Sequence, residues 1–202
     1  MAYCYFKTEL KRNLEFPEVI RFRINATVDT DEIGGNETIA SLKGFIVKTF
    51  LWINSSEFHY FDGISAHTSE GYDVLTEHSD KICSALNINS DLLDETSEII
   101  FCENAKVDPQ YRNKKLALRL LREAMFSLGS VSSLMILKAH PDGDNVDDKD
   151  CIKLAKYYCS DKYLKLTEID RTKLAGWLVS NNGFEIRYNE ANDEFGFEIS
   201  ID

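Results

Sequence analysis

The chain lacks closely spaced cysteine pairs, a leader-like opening, a long apolar run and an excess of basic charge, and each absence removes a class of function. Its five cysteines (Cys4, Cys83, Cys102, Cys151, Cys159) are odd in number and widely spaced, with no CxxC pair. Neither a disulfide framework nor a zinc site is indicated, and a reducing cytoplasm fits best. The first residues do not follow the basic, apolar, small-residue order of a signal peptide. The apolar stretch from Phe45 to Ile53 is interrupted by Lys48 and is too short to span a bilayer. A soluble, intracellular protein with no membrane partner is expected. With 34 acidic residues against 23 basic ones the net charge is −11, which argues against a nucleic-acid partner, because such binding rests on neutralising phosphates. A glycine-rich phosphate loop is missing too: Gly34-Gly35 stands alone and reads as a turn.

What is present reads as globular. At 202 residues, with 44% hydrophobic and 11% aromatic content, the chain can bury a substantial core, and one domain over residues 1–202 is expected. Phe22, Ile24, Ala26 and Val28 alternate with polar residues between Glu18 and Asp29, the period of a half-buried strand. A second extended run from about Ile39 to Ile53 returns antiparallel to it, and Phe58 to Ile64 suggests a third. Ser69 and Glu70 open a helix carrying Tyr72, Leu75, Ile82, Cys83 and Leu86 on one face, ending near Asn87. Further on, Ile152, Ala155 and Tyr158 suggest a short helix. Asp170 can cap another with Leu174, Trp177 and Leu178 buried and Gly183 at its end, before a closing hairpin over Glu185–Tyr188 and Phe195–Ile201. The loop from His140 to Asp150 alternates carboxylates at Asp142 and Asp144. Val146, Asp147 and Lys153 occupy positions where a calcium loop needs other residues, so a solvated acidic loop and no metal is the reading.

The organising stretch is Glu98 to Leu128. Ile99, Ile100 and Phe101 suit a buried strand, and Asp108-Pro109 ends it in a turn. Leu116, Ala117, Leu120, Leu121, Ala124 and Leu128 then form one apolar stripe of a helix, with Lys115, Arg119 and Arg122 on the other face. Between Lys106 and Arg122 there are six basic residues (Lys106, Arg112, Lys114, Lys115, Arg119, Arg122) against Asp108 alone, a local charge of +5. Cations crowd a helix start that already carries partial positive charge. Either a bound anion resolves the conflict or the lysines point into water.

These residues resemble a family. Val107, Pro109 and the run YRNKKLA from Tyr111 to Ala117, followed by Leu120 and Leu121, are similar to the acyl-CoA binding motif Q/R-x-x-G-x-G/A of the GCN5-related N-acetyltransferase (GNAT) superfamily. Arg112 takes the first position and Ala117 the last, while Asn113 and Lys115 stand where the family often has glycine. FDGISAH (Phe61–His67) and LKAHP (Leu137–Pro141) resemble stretches of a bacterial acetyltransferase-like group within it. In that group, LKAHP leads from the fifth strand into an acceptor-side loop. His67 then either faces an acceptor or is a capping or surface histidine. AGWLVSNNGF (Ala175–Phe184) resembles the family's final helix, where a tyrosine often protonates the departing thiolate; Val179 holds that place here.

The resemblance implies an α/β (α+β) fold with a mixed, mostly antiparallel sheet and a βαβ acyl-CoA binding core, the acyl-CoA N-acyltransferase fold. It implies an acyltransferase that passes an acetyl group from acetyl-CoA, as co-substrate, to a primary amine on a small molecule or protein, and a homodimer is consistent with it. A non-catalytic module that binds acyl-CoA, or acts in regulation or interaction, is the alternative. The pyrophosphate would sit on Arg112, Asn113, Lys114, Lys115, Leu116 and Ala117, with pantetheine along Ala105, Lys106 and Val107. Strand parity groups Glu103 with Ala105 and Val107 and makes it the candidate base; a solvated or salt-bridged carboxylate is the other reading. Cys102 reads as a nucleophile or, as free cysteines more often are, a small buried hydrophobe.

Overall fold

Apolar alternation builds the first half of the sheet. β1 (Ala2–Arg12), β2 (Val19–Thr30), β3 (Gly35–Lys48) and β4 (Glu98–Val107) pair antiparallel in succession. The computed structural model describes residues 2–30, 35–49, 64–88, 96–141, 146–172, 175–181 and 197–199. In β2, Phe22, Ile24, Ala26 and Val28 are buried, as their alternation requires. β1 goes beyond the sequence reading. Along it Cys4 is buried and Phe6 packs against the core, but Leu10 is 57% exposed, so its apolar signal is weak.

Among the described residues, four helices cover the sheet: α1 (Ala66–Glu77), α2 (Ser79–Leu86), α3 (Leu116–Leu128) and α4 (Asp148–Cys159). With β5 (Ser133–Ala139), β6 (Thr167–Thr172), β7 (Ala175–Asn181) and β8 (Phe197–Ile199), the strand order is β6-β7-β5-β4-β3-β2-β1-β8. Of these pairs only β4 and β5 run parallel. This is the expected mixed, mostly antiparallel sheet with a βαβ core formed by β4, α3 and β5.

Two apolar clusters lie on its opposite faces. Ile100, Cys102, Leu120, Leu121, Ala155 and Tyr158 belong to one, under α3 and α4; Ile99, Phe101, Leu75, Ile82, Trp177 and Val179 belong to the other, under α1 and α2. The single helix expected after Ser69 is two, broken at His78 and capped at Ser65. The break lets α1 lie over β4 and β5 while α2 lies over β6 and β7.

One expectation is overturned outright. The segment around Asp170 to Asn181 is no helix: β6 and β7 form an antiparallel hairpin there. Trp177, Leu178 and Val179 are all buried because both faces of β7 are covered. A strand buried on both sides shows no period of two, and the spacing of Leu174, Trp177 and Leu178 then coincides with a helical one. Phe197–Ile199 is a strand as expected, but its partner is β1. Gly34, Phe58–Gly63, the acidic residues 142–145, Leu174, Gly183 and Glu185–Tyr188 lie outside the described residues.

β4 also carries a bulge. Lys43 faces Asn104 and Gly44 faces Cys102, so Glu103 is the extra residue. Gly44 makes this possible: a Cβ there would stand 1.9 Å from the Phe101 carbonyl oxygen and 2.8 Å from the Phe22 ring. The bulge reverses parity. Ile100 and Cys102 before it, and Ala105 and Val107 after it, all pack on the α3 face, and Glu103 does not share that face.

Candidate active site

The parallel pairing is short. β4 and β5 are in register from Glu98 with Ser133 to Cys102 with Leu137, and there it stops. Beyond that point β4 continues to Val107 paired with β3, and β5 to Ala139 paired with β7. The two strands part in a V whose inner edges have no strand partner among the described residues, and the half-buried edge of β4 there can take an extended ligand's amides and carbonyls. A cleft of about 830 Å³ opens at the V, lined by Glu103 to Val107 from β4, by Lys138, and by Tyr157 and Tyr158 from α4. His140 and Pro141, just after β5, line it as well.

At the cleft's mouth the chain turns from β4 into α3. Asp108 fixes this turn: its N–H donates to the Ile39 carbonyl (2.9 Å) and its side chain accepts from the Gln110 N–H (3.1 Å). A 3-10 turn follows over Pro109–Tyr111, with Pro109 at its start. Asn113 and Lys115 then adopt left-handed backbones, with φ of 66° and 58°. These are the two positions where the resemblance expects glycine, so the backbone keeps a glycine-like course without glycine. Asn tolerates that region well; Lys does so at a cost of about 1–2 kcal/mol. Lys115 is the N-cap of α3, its own side chain makes no capping bond, and no acidic residue lies in the helix's first turn. Its side chain leaves the amides of this first turn uncapped, where they carry partial positive charge, and of them Leu118 bonds the Tyr157 hydroxyl.

The six cations of this stretch divide. Lys106 and Arg112 line the cleft, and Lys114 lies 5.8 Å from the Tyr111 ring centre. Arg122 points elsewhere: its guanidinium grips both carboxylate oxygens of buried Asp161 and stacks 4.4 Å from the Tyr163 ring centre. Of the predicted ligand residues, Ala105, Lys106, Val107, Arg112 and Ala117 line the cleft together with Glu103. Leu116 is 1% exposed in the core, leaving only its backbone for a ligand, while Asn113, Lys114 and Lys115 form the turn.

Across the sheet, Glu103 meets the start of α1. The Ser65 hydroxyl donates to Glu103 Oε1 (3.0 Å) and accepts the Thr68 N–H (3.2 Å) as the helix cap. His67 is neither cap nor surface residue: its ring lies 5.1 Å from that of Trp177, and Nε2 is buried with no hydrogen-bond partner. Burial holds the His67 pKa below its ordinary value; Glu103 opposes that effect, Lys138 adds to it, and the Cys102 carbonyl and Glu70 oppose it. Lys138 pairs with Glu70 (2.5 Å) and sits 5.6 Å from the Trp177 ring centre. Cys102 is buried and its thiol is pushed far up by desolvation, so it is core and no nucleophile.

Two tyrosines at positions other than Val179 line the cleft. Val179 is a fully buried β7 residue, whereas α4 brings Tyr157 and Tyr158 to the cleft wall facing β4. Burial raises the Tyr157 pKa, opposed by the Leu118 amide that bonds its hydroxyl, so the phenol stays protonated at neutral pH. The sequence signal was the adjacent pair at the end of the helix predicted from Ile152, Ala155 and Tyr158. Among the described residues no cluster of His, Cys, Asp or Glu is arranged for a metal, and no helix is long and apolar enough to cross a membrane.

No protein-family model matches the chain, and no curated protein matches it. Among solved structures it is similar to Arabidopsis thaliana NAA60 in complex with a bisubstrate analogue, at 13% identity and a TM-score of 0.38, over 81% of this chain and 76% of that one.

Proposed function

We propose that the protein is an acetyl-CoA-dependent N-acetyltransferase, working in the cytoplasm on a primary amine. The observation that carries this reading is the V between β4 and β5 with the start of α3 at its mouth. A diphosphate suits the helix amides, Arg112 and Lys106; an extended amide-bearing arm suits the open edge of β4 from Ala105 to Val107. The thioester then reaches the bulge, where Glu103 lies on the far side to take a proton from the amine. The amine nitrogen bonds to the thioester carbon, the C–S bond breaks, and the thiolate takes a proton from Tyr157 or Tyr158.

Calorimetric titration with acetyl-CoA is the first test, with a micromolar Kd expected; no detectable heat overturns the reading. Given binding, thiol release is measured with spermidine, ethylamine and a lysine-bearing peptide. Glu103→Gln should keep binding and lower kcat by roughly 100-fold. Of Tyr157→Phe and Tyr158→Phe, one should lower kcat and leave the Kd intact. A non-catalytic acyl-CoA binding module is the second reading, favoured by the Lys115 side chain where the motif has glycine. It predicts binding without thiol release for any amine.

A further inference from the structure

We propose that Ser65 and His67, presented by the first turn of α1, are positioning residues that orient Glu103 and govern its ability to take the amine's proton. This rests on the acetyltransferase reading and adds to it a device on the sheet face opposite the coenzyme cleft.

Three observations meet here. The bulge turns Glu103 off the α3 face, so that while the residue borders the cleft its carboxylate is held on the other face by Ser65 at the start of α1. An ionised carboxylate can only accept, so at 3.0 Å from Glu103 Oε1 Ser65 uses its one hydroxyl proton there, in preference to the Thr68 hydroxyl at 3.2 Å, while its oxygen accepts the Thr68 N–H. The capping bond that starts the helix therefore also fixes the carboxylate. His67, two residues on, is wedged against Trp177 with Nε2 buried and unbonded, a polar atom that is costly to leave so without a role.

The charged groups facing His67 are Glu103 from β4, Lys138 from β5 and Glu70 from α1, with the Cys102 carbonyl beside them. While His67 is neutral, Glu103 answers only to Ser65 and the incoming amine. Once His67 is protonated, its positive charge competes with the incoming amine for the same carboxylate. The ammonium gives its first proton to solvent, so that the free amine binds, and Glu103 takes the second as the C–N bond forms. The second proton lost by the nitrogen balances the one delivered to sulfur.

The first measurement follows the His67 ring by NMR across pH in the full-length protein, with Glu103→Gln and Lys138→Met beside the parent. His67 should titrate below 6.5, fall further in Glu103→Gln, and rise in Lys138→Met. A value at 6.5 that neither substitution moves overturns the proposal, whether or not any amine is acetylated. The second measurement is the slope of log kcat/KM against pH with spermidine. Loss of the amine's free form gives one unit of slope, and protonated His67 steepens it toward two at low pH. Steepening should vanish in His67→Gln, and Ser65→Ala should lower kcat by about tenfold with Ser65→Thr restoring it. A uniform drop with unchanged slope would mean a purely structural role and overturn the proposal. Failure of acetyl-CoA to bind sinks the acetyltransferase reading and leaves the NMR result to judge the Glu103–His67 coupling.

Discussion

Lys115 shows how a single residue hides a site from its sequence. Motif comparison sees a lysine in place of glycine and registers a loss, yet the backbone there is left-handed all the same, and Asn113 repeats the pattern. Physics at this scale concerns φ, and φ is only loosely encoded by residue type. Lys115→Val should therefore lower stability by about 1–2 kcal/mol in urea unfolding, because a branched Cβ is worse still at positive φ, while Lys115→Gly should leave it within about 1 kcal/mol of the parent. Glu103 teaches a related lesson. Its identity as a cleft carboxylate was legible, but its side of the sheet was not, since parity arguments hold only while the register is unbroken. Tyr157 and Tyr158 were legible as helix residues and invisible as cleft residues, because the packing of α4 on β5 and β7 decides what its faces meet.

Among elements, β4 does most to arrange the molecule, and its two ends are held differently. Near its start, buried Glu98 pairs with Lys48 and accepts the Ser133 hydroxyl (2.7 Å). Burial raises its pKa, but Lys48 and Ser133 outweigh this and the net shift is downward. A carboxyl depressed in the fold adds stability above its unfolded value, near 4.5, and that contribution is lost as pH falls through the folded value. Glu98→Ala should cost about 1–3 kcal/mol at neutral pH, by removing the partner of Lys48 and an acceptor of the Ser133 hydroxyl, with a smaller deficit against the parent in acid. Near its other end the bulge depends on Gly44. Gly44→Ala should destabilise the fold by roughly 3 kcal/mol or more in urea unfolding, since the added carbon meets backbone that has nowhere to go. The strands β2, β3 and β4 and helices α3 and α4 were legible because each carries an apolar pattern of the right period or a run of β-branched residues. β7 was not, because it has two dry faces.

For the whole molecule, a net charge of −11 opposes any anionic ligand at a distance, while Lys106 and Arg112 attract it at the cleft. Screening acts over about 10 Å at 0.1 M salt, so the two effects separate by range. Raising salt from low to moderate values should speed association of coenzyme A in stopped-flow mixing and speed dissociation more, with a net loss of affinity. Topology separates the two halves of the sheet in time as well. β1 to β4 are pairwise neighbours in spatial order, whereas β5 reaches β4 only after α3 has been threaded across, and it is secured there by five rungs. The pairings among β1, β2 and β3 join near neighbours in sequence and close quickly, whereas β3 with β4 (Val47 facing Ile99) and β4 with β5 (Ile99 facing Leu134) span long intervals and close later. During synthesis the meander of β1, β2 and β3 is thus free to fold before the later strands leave the ribosome, and the V between β4 and β5 is bounded by two strands that both arrive after it.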